Sequence, residues 1–174
     1  MTRARDTSGR DRRIIAISGI KNSGKTTLLA ALVPLLREKG LQVGVIKHDG
    51  HDFTPDVPGS DSFRLREAGA ETVAVYSPHR YLLTKAESGL EAEDLLPHFE
   101  KADVILLEGG KNSLWPKIEV LRAAVSQKPA AKPEGLLALC TDTGCLVDGV
   151  PAVGLTDYEA IVRIIMRHLE QIPN

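Results

Sequence analysis

The segment IIAISGIKNSGKTTLLAALVPLL, residues 14–36, decides the fold class of this chain. Its first five residues, Ile14–Ser18, are a short β-branched run, which predicts a buried strand. Its last residues carry leucine and valine at helical spacing, and Gly40 follows as a favourable residue just beyond a helix. Between them, Gly19–Thr27 fits G-x-x-x-x-G-K-[ST], the pattern of a phosphate-binding loop. A strand, this loop and a helix in that order predict a P-loop nucleotide-binding domain.

The residue types in this loop follow from the chemistry of phosphate binding. Gly19 and Gly24 let the backbone curl so that successive amides point inward at phosphate oxygens. Lys25 brings a positive charge to the β- and γ-phosphates, and Thr26 offers a hydroxyl to Mg²⁺. The N-terminus of the following helix adds its partial positive charge. The residues that we predict to bind the nucleotide are Gly19, Asn22, Ser23, Gly24, Lys25, Thr26 and Thr27.

A second segment, ADVILLEGGK (Ala102–Lys111), has the form of a Walker B strand that ends in an acid. Glu108 is the first carboxylate after the apolar run, and we predict that it holds Mg²⁺ directly or through water. The alternative is a strand that simply ends in glutamate. Lys21 also keeps two interpretations: a solvated loop lysine, or a lysine that reaches the nucleotide of a partner subunit.

Apolar runs alternate with helical patterns along the rest of the chain. This alternation predicts an α/β fold with a mostly parallel sheet and helices on both faces. The loops after Ser18, Ile46, Leu107 and Cys140 should then meet at one edge of the sheet, where such folds bind ligands. The further predicted strands are Gln42–Lys47, Glu71–Tyr76, Arg80–Lys85, Asp103–Leu107, Lys117–Leu121 and Leu136–Cys140. The further predicted helices are Ser60–Ala68, Glu91–Lys101 with an interruption at Pro97, and a last helix that begins with a capping box of Thr156 and Glu159.

Length and composition limit the remaining possibilities. With 174 residues, 43% of them hydrophobic, the chain suits one nucleotide-binding domain over 14–174 with at most a small insertion. Residues 1–13 are arginine-rich and aperiodic, which predicts a disordered tail; a nucleic-acid-binding arm is the alternative. A net charge of −1 and the lack of a long apolar run argue against nucleic acid and membranes as partners. Two cysteines are too few for a disulfide scaffold, so we expect a cytoplasmic protein with reduced thiols.

The segment KHDGHDF (Lys47–Phe53) opens a long polar loop with two interpretations. Its histidines and aspartates lie close together, as in a transition-metal site, but neither cysteine is near them in sequence. The favoured interpretation is a switch-like loop beside the phosphates, with an aspartate near Mg²⁺ and histidines near an anionic partner. The role of residues His48 to Asp52 stays open between the two.

Five segments in order resemble the MobB family of molybdopterin-guanine dinucleotide biosynthesis adaptor proteins. GIKNSGKTT looks like the phosphate loop of that family, and the resemblance extends from Ile14 to about Asp142. The other four segments are KHDGHDF followed by PGSDSFRLREAGA, then LLEGGK, PKIEVLR (Pro116–Arg122) and ALCTD (Ala138–Asp142).

The resemblance implies a homodimeric GTP-binding protein of the dimerising P-loop class. Such a protein assists the attachment of GMP to molybdopterin, while a separate molybdopterin guanylyltransferase performs the transfer. The family's strand-end aspartate implies that Asp142 binds the guanine base. GTP hydrolysis in the family is weak, which agrees with the lack of an evident glutamine or arginine finger beside the loop. We also expect more cations around the phosphates than one nucleotide requires. They would meet molybdopterin, its guanine dinucleotide or an acidic partner, and they are His48, His51, Arg64, Arg66, Lys111, Lys117 and Arg122.

Two other functions are compatible with a P-loop. A small-metabolite kinase would use Lys25, Thr26 and Glu108 with Asp52 or Asp61 as the base, but arginines for a lid are sparse between Arg80 and Arg122. A metallochaperone GTPase for nickel enzymes would need a histidine-rich or cysteine-histidine tract, and the five histidines are scattered.

Overall fold

The structure is a computed structural model that describes residues 13–51 and 53–172. The predicted disordered tail lies outside the described residues except for Arg13. The chain divides into two compact units: one holds the residues up to His48 and from Leu96 onward, and the other runs from Asp49 to Leu95. The single nucleotide-binding domain over 14–174 stays a prediction.

Eight strands, three α-helices and one 3₁₀-helix make up the regular structure of the described residues. In chain order they are β1 (Ile14–Ser18), α1 (Lys25–Glu38), β2 (Val43–Lys47), α2 (Asp61–Glu67), β3 (Thr72–Ser77), β4 (Arg80–Lys85), the 3₁₀-helix (Ala92–Phe99), β5 (Val104–Glu108), β6 (Lys117–Leu121), β7 (Leu136–Thr141), β8 (Ala152–Val153) and α3 (Tyr158–Glu170).

The first unit is built on a six-stranded sheet in the order β2-β5-β1-β6-β7-β8, and every neighbouring pair in it is parallel. The predicted parallel α/β sheet is therefore confirmed. Strands β1 and β5 are buried at every position, as expected for central parallel strands. Because β1 lies between β5 and β6, the loops that follow these three strands emerge side by side at the carboxyl edge.

The main core lies between one face of this sheet and the helices α1 and α3, which contact each other. Alternate residues of the central strands, such as Ile15 and Ile17, enter this core. The opposite face carries Gly44, and the ring of Phe99 comes within 2.5 Å of the position that a Cβ on Gly44 would take. The 3₁₀-helix therefore reaches the second face, and helices lie on both faces as predicted.

Two buried ionic side chains on β6 hold loops against the sheet. Glu119 is 1% exposed, and its carboxylate accepts hydrogen bonds from the amides of Ala130 and Ala131. Lys117 is 2% exposed and donates from Nζ to the Ser113 carbonyl at 2.7 Å. Burial lowers the pKa of this ammonium below its usual value, against the opposing influence of Glu119.

The second unit contains α2 and the antiparallel hairpin of β3 and β4. Asp56 is buried and forms a 2.8 Å ion pair with Arg66, while the Ser62 hydroxyl donates to its other oxygen at 3.1 Å. This pair ties the loop before α2 to the helix. The Ser60 side chain caps α2 by accepting from the Phe63 amide.

Two local predictions differ from the structure, and one short strand had no prediction. The segment predicted as a helix over Glu91–Lys101 is a shorter 3₁₀-helix that contains Pro97, whose missing N–H disfavours an α-helix. The predicted capping box is wrong because Asp157 caps α3 instead, accepting from the Ala160 amide at 3.1 Å. The short strand β8 was not predicted. No helix among the described residues is long and apolar enough to cross a membrane.

Candidate functional site

The loop between β1 and α1 has the backbone that a phosphate-binding loop requires. Gly19, Asn22 and Gly24 all have positive φ, at 138°, 63° and 106°. A Cβ on Gly19 would lie 2.6 Å from the Val120 carbonyl oxygen and 2.7 Å from Ser23 Oγ. Glycine is therefore required at position 19 for both conformation and space. Gly24 is the N-cap of α1 and makes no side-chain cap, so the first amides of the helix stay available to an anion.

Lys25 curls back over the loop that precedes it. Its Nζ donates to the carbonyls of Gly19 at 3.1 Å and Ile20 at 2.8 Å. The ammonium is thus held at the mouth of the loop, where the motif requires a cation for the phosphates. Asn22 and Thr27 are exposed, whereas Ser23 is buried. Lys21 is exposed too.

Thr26 and Glu108 meet at the carboxyl edge of the sheet. The Thr26 hydroxyl donates to Glu108 Oε1 at 2.7 Å, and Glu108 is 8% exposed. One hydroxyl and one carboxylate are hard oxygen donors, and Mg²⁺ is commonly held by one or two such protein groups together with waters and substrate phosphates. The donor set therefore fits the magnesium ion that the motif implies.

Asp142 lies directly after β7, at the same edge of the sheet as the loop. Its Oδ1 accepts a hydrogen bond of 2.6 Å from the Ala123 amide, which follows β6 by two residues. The carboxylate is exposed. Nearby, burial raises the pKa of the Cys140 thiol to about 11, while the Arg122 charge opposes this rise and the Asp142 and Asp157 charges add to it. Cys140 is therefore a neutral core thiol, as predicted for a structural cysteine.

The predicted switch-like loop divides between the two units. His48, in the first unit, donates its amide to the Glu108 carbonyl at 3.2 Å and lies against Gly109. Asp49 and His51 belong to the second unit, and Asp52 lies outside the described residues. Across residues 13–51 and 53–172, no three His, Cys, Asp or Glu side chains form a group that could hold a metal ion.

The structure corrects the set of cations predicted around the phosphates. Lys117 is at the beginning of β6 and is buried, so it is not at the carboxyl edge and not exposed. Arg66 is engaged by the buried Asp56 in the second unit. Arg122, by contrast, contacts the phosphate loop itself: its Nε donates to the Ser23 carbonyl at 3.1 Å.

Arg122 was predicted among the cations around the phosphates, but its contact with the backbone of the loop was not predicted. The contact of Arg122 with the loop depends on β6 lying next to β1, and the local sequence does not determine the order of the strands. A parallel sheet, a phosphate-binding loop after one of its central strands and an acid at the end of the neighbouring strand define a P-loop nucleotide-binding protein.

Comparison with known proteins identifies the family within this class. Residues 14–142 match the family model of molybdopterin guanine dinucleotide synthesis protein B, MobB. The molybdopterin-guanine dinucleotide biosynthesis adapter protein of Escherichia coli is 32% identical over 165 residues, which cover 91% of this chain and 94% of that protein. The chain belongs to the MobB family.

A solved structure agrees with this assignment. The crystal structure of Bacillus subtilis MobB has a TM-score of 0.74 and 26% sequence identity, covering 91% of this chain and 98% of that one. A more distant relative, the urease accessory protein UreG 2 of a Bradyrhizobium species, is 32% identical over 108 residues, or 58% of this chain and 48% of that protein. The family match favours the MobB interpretation over the kinase and the metallochaperone.

Proposed function

We propose that this chain is a GTP-binding adaptor that assists the attachment of GMP to molybdopterin, while a separate molybdopterin guanylyltransferase forms the bond. The observation that carries the proposal is the hydrogen bond between Thr26 and Glu108 beside a loop of the P-loop conformation. It unites the two segments that the nucleotide site needs. Membership of the MobB family supplies the pathway.

Thr26 Oγ1 and Glu108 would hold Mg²⁺ at this site. The bound ion would neutralise charge on the β- and γ-phosphates. Lys25 would then exchange its contacts with the Gly19 and Ile20 carbonyls for phosphate oxygens, since both lie at the mouth of the same loop.

Guanine is the base that Asp142 suits. A carboxylate accepts from N1–H and N2–H₂ of guanine, and adenine lacks this pair of donors. The Ala123 amide holds Oδ1 at 2.6 Å and so orients the carboxylate, while each carboxylate oxygen can accept more than one hydrogen bond. We expect GTP to be preferred over ATP through this residue.

We expect GTP hydrolysis to be weak. Fast P-loop GTPases need a group that orients water and an arginine that neutralises the transition state. The arginine at this loop, Arg122, instead donates a hydrogen bond from Nε to the backbone carbonyl of Ser23. Cations at the carboxyl edge, such as Lys111, are then available for an anionic pterin or an acidic partner.

We propose that the protein is a homodimer that uses the hairpin of the second unit. A two-stranded sheet is marginal on its own. One face of this hairpin carries Thr72, Ala74, Tyr76, Tyr81, Leu83 and Lys85. We call its central part, Ala74, Tyr76, Tyr81 and Leu83, the open hairpin face. Tyr76 pairs with Tyr81 across the strands, and these two side chains are 85% and 69% exposed. The only buried residue of the hairpin, among those described, is Val73, which points to the opposite face.

The two free thiols, Cys140 and Cys145, fit a reducing compartment, and we propose that the protein is cytoplasmic.

Reconstitution tests the adaptor function. Molybdopterin, GTP and Mg²⁺ are supplied with this protein alone, with a guanylyltransferase alone, and with both. We expect guanine dinucleotide in the transferase reactions, more of it when this protein is present, and none from this protein alone. Formation of product at enzymatic rates without the transferase would make the chain the catalyst and end the adaptor proposal.

A binding comparison tests the nucleotide site within the same proposal. Lys25→Ala should weaken GTP binding by about 10- to 100-fold, because charge-assisted contacts are each worth about 1.5–3 kcal/mol. Asp142→Ala should reduce GTP affinity but leave ATP affinity unchanged. Lys101→Ala and Asp148→Ala, which alter exposed residues, serve as matched controls. Unchanged GTP affinity in folded Lys25→Ala would exclude this loop as the site.

A further inference from the structure

Arg122 reaches the phosphate loop because of the strand order. Strand β6 runs parallel to β1, and Ser18, the last residue of β1, pairs with Glu119, which lies two residues before the end of β6. The residues that follow the two strands therefore emerge next to each other. Arg122 is the first residue after β6, and it is half-buried against the loop that follows β1.

The guanidinium lies along the backbone of Ser23 and Gly24. Its Nε donates to the Ser23 carbonyl at 3.1 Å, and its Nη2 is 3.1 Å from the position that a Cβ on Gly24 would take. Ser23 is fully buried, and its own Oγ has no hydrogen-bond partner among the described residues. The backbone of Ser23, rather than its hydroxyl, is therefore what anchors this part of the loop.

The Ser23 carbonyl and the Gly24 amide belong to one peptide unit. Because that unit is planar and trans, its C=O and N–H point in opposite directions. A phosphate-binding loop works when its amides point inward. A donor that holds the Ser23 carbonyl on the outside of the loop therefore also fixes the direction of the Gly24 amide.

We propose that Arg122 is a positioning residue of the nucleotide site, which orients the Gly24 amide for phosphate by holding the Ser23 carbonyl through Nε. The inference rests on the proposed function, since it takes the loop as a nucleotide site. It also gives Gly24 a second reason to be glycine, because a side chain there would meet the guanidinium.

Three substitutions separate the hydrogen bond from the charge. Arg122→Gln places an amide nitrogen at the same distance along the side chain as Nε, so it keeps the donor and loses the charge. Arg122→Lys keeps the charge but has a methylene where Nε was. Arg122→Ala removes both. Arg163→Ala, on the exposed side of α3, is the matched control.

Two measurements are made on each variant of the full chain: affinity for GTP, GDP and GMP, and hydrogen exchange of the amides of residues 19–25 without nucleotide. We expect Arg122→Lys and Arg122→Ala to bind GTP and GDP about three- to tenfold more weakly, the range for one hydrogen bond. The loop amides should exchange faster in the same two variants. Arg122→Gln and Arg163→Ala should behave as the wild type in both measurements.

The outcomes are distinct. If Arg122→Gln binds GTP and GDP more weakly while Arg122→Lys binds them as the wild type does, the charge acts directly on the nucleotide. That result would overturn the positioning role. A loss of nucleotide affinity in all three Arg122 variants, or in none of them, would overturn the positioning role as well. If wild-type protein does not bind GTP, the proposed function falls, and the exchange rates of the nucleotide-free loop still decide the inference about Arg122.

Discussion

Thr26 and Glu108 are 82 positions apart and meet because β1 and β5 are neighbouring strands. Their 2.7 Å hydrogen bond brings a hydroxyl and a buried carboxylate to one point beside the phosphate loop. A buried carboxylate is costly unless it is hydrogen-bonded or close to a cation. The Thr26 hydroxyl supplies the hydrogen bond, and Mg²⁺ would supply the cation.

Glu108→Gln tests this metal role while it preserves the contact. The glutamine carbonyl still accepts from the Thr26 hydroxyl, but the charge that attracts Mg²⁺ is lost. We expect the gain in GTP affinity on adding Mg²⁺ to fall by about tenfold or more. Affinity without Mg²⁺ should be unchanged or tighter, since a negative charge near the phosphates is removed.

Titration calorimetry with GTP, in Mg²⁺ and in a chelator, measures both quantities. Glu38→Gln, at the exposed end of α1, is the control. A full magnesium effect in Glu108→Gln would show that β5 simply ends in a glutamate without a metal role.

Among the elements, β6 connects the largest number of functional and structural segments described above. Lys117 holds the loop before the strand, Glu119 holds the loop after it, and Arg122 reaches the phosphate loop. Lys117 and Glu119 are two residues apart, so both lie on the same face of the sheet. Strand β6 therefore supports the nucleotide site, although its own sequence contains no phosphate-binding motif.

Glu119→Gln should destabilise the fold through the loop of residues 122–135. Glutamine has one acceptor oxygen, and its NH₂ group would face a second backbone N–H, so the Ala130 or Ala131 amide would be left unsatisfied. The expected loss in the free energy of unfolding is about 1–3 kcal/mol. Urea denaturation with an unchanged m-value measures it.

Glu134→Gln, which alters an exposed carboxylate in the same loop, should stay within about 0.5 kcal/mol of the wild type. If Glu119→Gln is equally mild, the two hydrogen bonds are not what fixes the loop.

The sequence predicted those elements whose signal is local. Val104–Leu107 is an uninterrupted apolar run, and α1 has a leucine stripe and is followed by Gly40, so both elements were recognised. Strand β8 has two residues, and its pairing with β7 depends on a distant partner. The cap of α3 was misassigned by one residue because Thr156 and Asp157 are both good caps.

At the scale of the whole molecule, the site also combines residues with a local sequence signal and residues whose role depends on distant partners. Residues 19–27 and Glu108 were predicted because motif spacing encodes them. The contact between Arg122 and the loop was not predicted, because it depends on β6 lying next to β1, and a short segment of sequence does not determine the order of strands. Lys117 was placed with the exposed cations because charge alone does not report burial.

The open hairpin face is the largest feature of the second unit that the nucleotide site does not explain. Tyr76 and Tyr81 are exposed side by side, with Ala74 and Leu83 as the next pair along the strands. Aromatic side chains in this arrangement are typical of the centre of a protein interface. The hairpin also has unpaired strand edges within its own sheet, which a second copy could pair.

The introduction of negative charge on this face tests the homodimer. We expect the wild type to sediment at twice 18.8 kDa, and a Tyr81→Glu, Leu83→Glu variant to dissociate at least about 30-fold more readily. The two new carboxylates of one protomer would repel the same carboxylates of its partner across the two-fold axis, and the aromatic contact of Tyr81 would be lost. Leu146→Glu, at an 82% exposed leucine of the first unit, should leave the dimer intact. Analytical ultracentrifugation over a concentration series gives the association constant of each. A variant that stays as dimeric as the wild type would move the interface off this hairpin, and a monomeric wild type would remove the homodimer from the proposed function.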